Sequence, residues 1–195
     1  MIEALRASLR PALRTTRRLT SSRAQKWTLR SPLADVATFA RALVLLQHGE
    51  HDQQWAPWLQ RFNKAGYNAL LVHTEPTQKL AEIEHDIGRA VKEANIGPAP
   101  CLFARDNLTP AAETYVSSNA LGGLVLVDPR LASGNAFDYE PTFPIAIVAD
   151  DAIDREALRA HHRLLRDGPD MGVEVLVIPP GAEVSELLEW MSDVL

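Results

Sequence analysis

His48, His51 and Asp52 fall close together in a polar stretch that follows the apolar run Ala42-Leu43-Val44-Leu45-Leu46-Gln47. Imidazole and carboxylate are zinc ligands, so this constellation is weighed first. A His-x-x-His spacing in a loop lacks the i, i+4 pair that a helix turns toward one ion, and no third ligand accompanies it. The stretch reads as a polar loop, and no metal is expected. No Gly-x-Gly-x-x-Gly follows the first apolar run and no Gly-Lys-Ser/Thr occurs anywhere, which removes the backbone cradle for a dinucleotide or a nucleotide phosphate. No cofactor is expected either. Cys101 is the single cysteine, which excludes an intramolecular disulfide and any Cys-rich zinc module.

The remaining chemistry-bearing side chains stand at the ends of apolar runs. Arg105-Asp106-Asn107 follows Pro100 to Ala104, Asp150-Asp151 follows Phe143 to Ala149, and Glu183 lies beyond Val173 to Ile178. His161 and His162, mid-helix between Arg159 and Arg163, are expected at the surface. So are His85 and the acidic residues of the helical stretch 77–94, read as a solvated face.

The elements that must position these groups alternate: short apolar, β-branched runs with longer segments of helical period, which is the pattern of a parallel α/β sheet. Strands are predicted at 42–47, 68–73, 100–104, 123–128, 143–149 and 173–178. The first of these has no polar residue until its end, which indicates a strand buried on both faces. Helices are predicted near 55–65, 77–94, from 109, 154–165 and 184–194. The first carries Trp55, Trp58, Leu59 and Phe62 at spacings of three and four, with Gly66 at its end. The fold class is therefore α/β, a doubly wound and mostly parallel six-stranded sheet with helices on both faces, forming one domain over 31–195. With 46% hydrophobic residues in 195, the chain has enough apolar side chains for one such core.

Residues 1–30 stand apart. They hold eight basic side chains against Glu3 alone, while the whole chain sums to -5. The acidic body argues against nucleic-acid binding, which needs a basic face. Leu5, Leu9 and Leu13 beside Arg6, Arg10 and Arg14 give an amphipathic, hydroxyl-rich, acid-poor leader. That is the composition of a mitochondrial transit peptide, otherwise of a disordered basic tail, with processing expected around 17 to 27 and the matrix as destination. No run approaches the roughly 18 apolar residues of a spanning helix, so no transmembrane segment is expected.

The order of the pieces resembles the α/β-hydrolase fold superfamily from about Ala42 to Leu195. Val44-Leu45-Leu46-Gln47-His48-Gly49 resembles its strand ending in His-Gly. Ala65-Gly66-Tyr67 leads on to the next strand, Gly122-Gly123 to Asp128-Pro129 resembles the strand after the nucleophile helix, and Glu189-Trp190-Met191 resembles the terminal helix. The resemblance implies a nucleophile elbow, Gly-x-Ser-x-Gly, after the third strand. This chain has Ala104-Arg105-Asp106-Asn107-Leu108 there, so the elbow residue is Asp106 in one register and Asn107 in the other. The resemblance puts Asp151 at the position of the triad acid, where, with no histidine to orient, it is expected to cap the following helix instead. The catalytic histidine would fall near Ala182 or Glu183, where there is none, and only Arg130 to Pro141 stands where the family inserts its lid. His48, Gly49, Asp106, Asn107 and Asp151 are the pocket candidates.

The expected function is that of a catalytically degenerate, lidless hydrolase-fold protein acting as a binding or accessory subunit of a mitochondrial assembly. Two alternatives stay open. One is a non-standard hydrolase, either esterase-like or using an aspartate nucleophile as dehalogenases and epoxide hydrolases do, built from Asp106 or Asn107, Asp151 and His48 or Glu183. The other is a small-molecule sensor.

Overall fold

The computed structural model describes residues 26–49, 53–97, 99–129, 142–149, 152–167, 175–178 and 183–194. The leader, Arg130 to Pro141, and Asp151 lie outside the described residues, apart from Lys26 to Arg30 at the leader's end. Each apolar run forms a strand: β2 (Leu43–His48), β3 (Ala69–Thr74), β4 (Cys101–Arg105), β5 (Gly123–Val127), β6 (Ile145–Val148) and β7 (Val175–Ile178). These six are parallel and stand in the order β3-β2-β4-β5-β6-β7.

The sheet has seven strands rather than the expected six. Strand β1 (Trp27–Arg30) pairs antiparallel with β3, Trp27 opposite Val72 and Arg30 opposite Ala69. Arg30 and Lys26 group these residues with the basic leader in a charge count, yet Trp27 and Leu29 pack against the core. The folded body therefore begins at least at Lys26, whose Nζ lies 3.1 Å from Asp86 and whose carbonyl accepts from His73 N–H at 2.8 Å.

Helices cover both faces. On one side α1 (Ala56–Ala65) and α6 (Glu183–Val194) bury Trp58, Phe62, Leu187 and Met191 against Leu43, Leu45, Cys101 and Phe103. On the other, α2 (Leu80–Glu93), α3 (Thr109–Ser118), α4 (Ala152–His161) and α5 (Arg163–Asp167) bury Ile87, Ala111, Leu158 and Leu164 against Val44, Leu46, Leu102 and Leu124. Successive strand residues thus feed alternate cores, as the two-residue period of a strand requires. Helix α1 stops at Gly66, whose φ of 98° is open to glycine at no steric cost, and an added Cβ there would meet the Ala37 carbonyl.

Two surface expectations are overturned. Asp86 is buried on α2, because Lys26, Gln78 and Arg89 all donate to its carboxylate. These partners hold its pKa below the ordinary value against the opposing pull of burial. His162 is buried as well, whereas His161 is exposed as expected. The expected helix over 154–165 breaks at His162, between α4 and α5, where the ring turns inward toward Glu113 of α3.

Candidate functional site

Strands β2 and β4 are neighbours, but the chain leaves β2 for β3 on one side and later returns to β4 on the other. This is the point where the winding reverses, and open α/β sheets bind ligands in the crevice that such a reversal leaves at the carboxyl ends. Four of the predicted residues meet there. His48 ends β2, Gly49 follows with a φ of 66°, and Asp106 and Asn107 follow β4 directly. Asp151 lies outside the described residues, and Glu183 is the first residue of α6.

Of the two elbow candidates, one has a left-handed backbone. Asp106 has a φ of 51°, in the left-handed region, and the chain then passes through one tight turn, Asp106–Leu108, into α3. A strand that ends in a positive-φ residue and turns sharply into a helix is the geometry of a nucleophile elbow. Aspartate is among the few residues besides glycine that visit this region routinely, which is why the turn forms with neither elbow glycine. Thr109 steadies it by donating its hydroxyl to the Asp106 carbonyl at 2.8 Å, and Pro110 occupies the first turn of α3.

Around the elbow the side chains form two groups. His48 Nε2 lies 2.7 Å from Asn107 Oδ1, a hydrogen bond that spans the switch point, and Nδ1 faces the Thr74 hydroxyl at 3.3 Å. Beneath it the Gln47 amide donates to the Gly49 carbonyl at 2.8 Å and meets His73 Nδ1 at 3.0 Å, while His73 Nε2 reaches Thr28 Oγ1 at 2.9 Å. The second group centres on Arg105. Its guanidinium lies 3.6 Å from Asp128 and 3.9 Å from Asp106, with its carbon 5.7 Å from the centre of the Trp55 ring. Asp128, at the end of β5, also has a positive φ, 46°.

The sequence reading missed Arg105, Asp128, Gln47, Thr74 and His73 as site residues. Asp128 was the most legible of them, since it closes an apolar run just before Pro129, as Asp106 closes another. The engagement of Gln47, Thr74 and His73 depends on strand order, which the alternation of runs does not encode. Among the described residues, no group of three or more His, Cys, Asp or Glu could hold a metal ion.

The fold as a whole matches solved structures. The carboxylesterase of Bacillus cereus superposes with a TM-score of 0.64 at 16% identity, over 87% of this chain and 94% of that one. Est1E of Butyrivibrio proteoclasticus gives 0.57 at 12%, over 86% and 91%. An alpha/beta hydrolase fold protein of Burkholderia ambifaria gives 0.52 at 14%, over 86% and 93%. The chain has the α/β-hydrolase fold. No family model matches it, and neither does any curated protein. Within this fold β1 is the antiparallel edge strand, and Asp106 is the positive-φ residue between β4 and α3.

Proposed function

We propose that this hydrolase-fold chain works by binding rather than by turnover, as an accessory subunit of a mitochondrial assembly. The observation that carries the reading is the elbow itself: a carboxylate, Asp106, stands where a hydroxyl nucleophile belongs, while the imidazole at the crevice, His48, has Nε2 engaged by Asn107. The segment Pro179-Pro180-Gly181-Ala182 after the last strand also contains no histidine. The histidine that would act as base for such a nucleophile is thus absent from its place in the sequence, which supports binding over turnover. Fold alone does not supply activity.

The full chain is expected to show no turnover of short p-nitrophenyl esters, haloalkanes or epoxides that Asp106→Ala abolishes. Loss of a measurable rate on that substitution would overturn the proposal in favour of an aspartate nucleophile, which attacks carbon to form an ester. That second reading is supported by the left-handed backbone at Asp106, since strained conformations gather at functional sites.

Import is the other half of the proposal, supported by the basic, amphipathic leader. Residues 1–30 fused to a fluorescent reporter are expected to carry it into mitochondria, and replacing Arg6, Arg10 and Arg14 with glutamate should leave it in the cytosol. The cut should fall before Lys26, because that residue is already tied to Asp86 and His73. A reporter that stays cytosolic with the native leader would remove this half and leave the elbow argument standing.

A further inference from the structure

Glu113 and His162 are buried side by side on the face of the sheet away from α1 and α6. Glu113 lies in the middle of α3, the helix that starts at the elbow. His162 is the residue at which α4 gives way to α5. Their side chains are 6% and 8% exposed, His162 Nε2 lies 3.6 Å from Glu113 Oε1, and His162 Nδ1 has no hydrogen-bond partner among the described residues. The helical hydrogen bonding continues across the break, from His162 N–H to Leu158 and from Arg166 N–H to His162, so the ring is driven inward at a joint and not in a loose loop.

We propose that Glu113 and His162 form a proton-dependent latch that seats the α4 to α5 joint on α3 in mildly acidic solution and loosens it as pH rises through neutrality. One dissociable proton shared by the pair leaves both groups neutral, which suits a buried site. Losing it leaves an ionised carboxylate buried beside a neutral ring, a costly arrangement that outward movement of the joint relieves.

The surroundings agree. Burial pushes the Glu113 carboxyl up to about 7 and the His162 ring down to about 4, with Arg163 of α5 pulling Glu113 back. From α2, which packs on α3, Glu84 acts on Tyr115, and Asp86 is held by Lys26, Gln78 and Arg89. Glu156, Arg159 and His161 of α4 and Arg166 of α5 are exposed, and β4 and β5 present apolar side chains to α3. Arg163 is thus the charged neighbour whose field the carboxylate feels most.

Amide hydrogen exchange of the full chain, corrected for the intrinsic pH dependence of exchange, tests this. Protection of residues 152–167 is expected to fall about two- to threefold between pH 6 and pH 8 while α2 stays unchanged, and in Glu113→Gln, which cannot ionise, that fall should give way to the rise that His162 alone imposes. Equal protection in the native chain, or a fall with rising pH that persists in Glu113→Gln, would overturn the latch. The native chain also tests it without substitution: the carboxyl carbon of Glu113 should titrate near pH 7 by NMR, and a midpoint in the ordinary carboxylate range would overturn it too.

Discussion

Trp55→Ala is expected to lower unfolding stability by about 3–5 kcal/mol, the cost of removing a large aromatic side chain from a packed core. The ring is almost fully buried, meets Trp58 and Phe103 edge-on at 5.3 and 6.2 Å, and donates its Nε1 proton to the Leu46 carbonyl at 2.7 Å. It is also the surface beneath the Arg105 guanidinium, so its loss removes part of what holds the residue before the elbow. Trp55→Phe separates the two contributions. It keeps most of the ring packing but leaves the Leu46 carbonyl without its indole donor, a loss of roughly 1–3 kcal/mol. Urea denaturation of the three proteins measures both steps; a Trp55→Ala cost below about 1 kcal/mol would show that neighbouring side chains refill the site.

The same contrast between apolar pattern and polar placement divides what was legible in this chain. Strands β2 and β5 announce themselves most clearly, because a strand buried on both faces has few polar residues to interrupt it, and Leu43 to Leu46 and Leu124 to Val127 are such runs. Strand β1 is hidden by Lys26 and Arg30, whose charges belong at a sheet edge as readily as in a leader. The elbow could be placed after Ala104 but not assigned to one residue, because aspartate and asparagine both tolerate a left-handed backbone; only the φ of Asp106 separates them. Asp86 and His162 misled for a shared reason. Helical period places a residue on a face, but whether a polar residue on that face is buried depends on partners distant in sequence, Lys26 in one case and Glu113 in the other.

His162→Leu is expected to have opposite effects at the two ends of the pH range. The folded ring titrates near 4 and an unfolded histidine near 6.5, so the stability tied to its neutral form is present above pH 6.5 and lost as pH falls through 4. Leucine cannot bind that proton. The variant should therefore gain on the native chain as pH falls from 7 to 4, by about 3 kcal/mol for a shift of this size, while differing by roughly 1 kcal/mol or less at pH 7.5. Glu113→Gln is its mirror image. The folded carboxyl titrates near 7 against an ordinary 4.5, so the stability tied to its protonated form is full below pH 4.5 and lost as pH rises through 7. That variant should gain by a similar amount between pH 4.5 and 7. In the native chain the two slopes oppose each other between pH 4.5 and 6.5, because the pair binds one proton whether folded or unfolded and folding moves it from the ring to the carboxyl. Native stability should then be nearly level in this window, as far as these two groups decide it, and each single variant should expose the slope its partner had cancelled. Urea midpoints for the native chain and both variants at pH 4.5, 6 and 7.5 measure all three curves, and variant curves that run parallel to the native one would show that the buried pair exchanges no proton on folding.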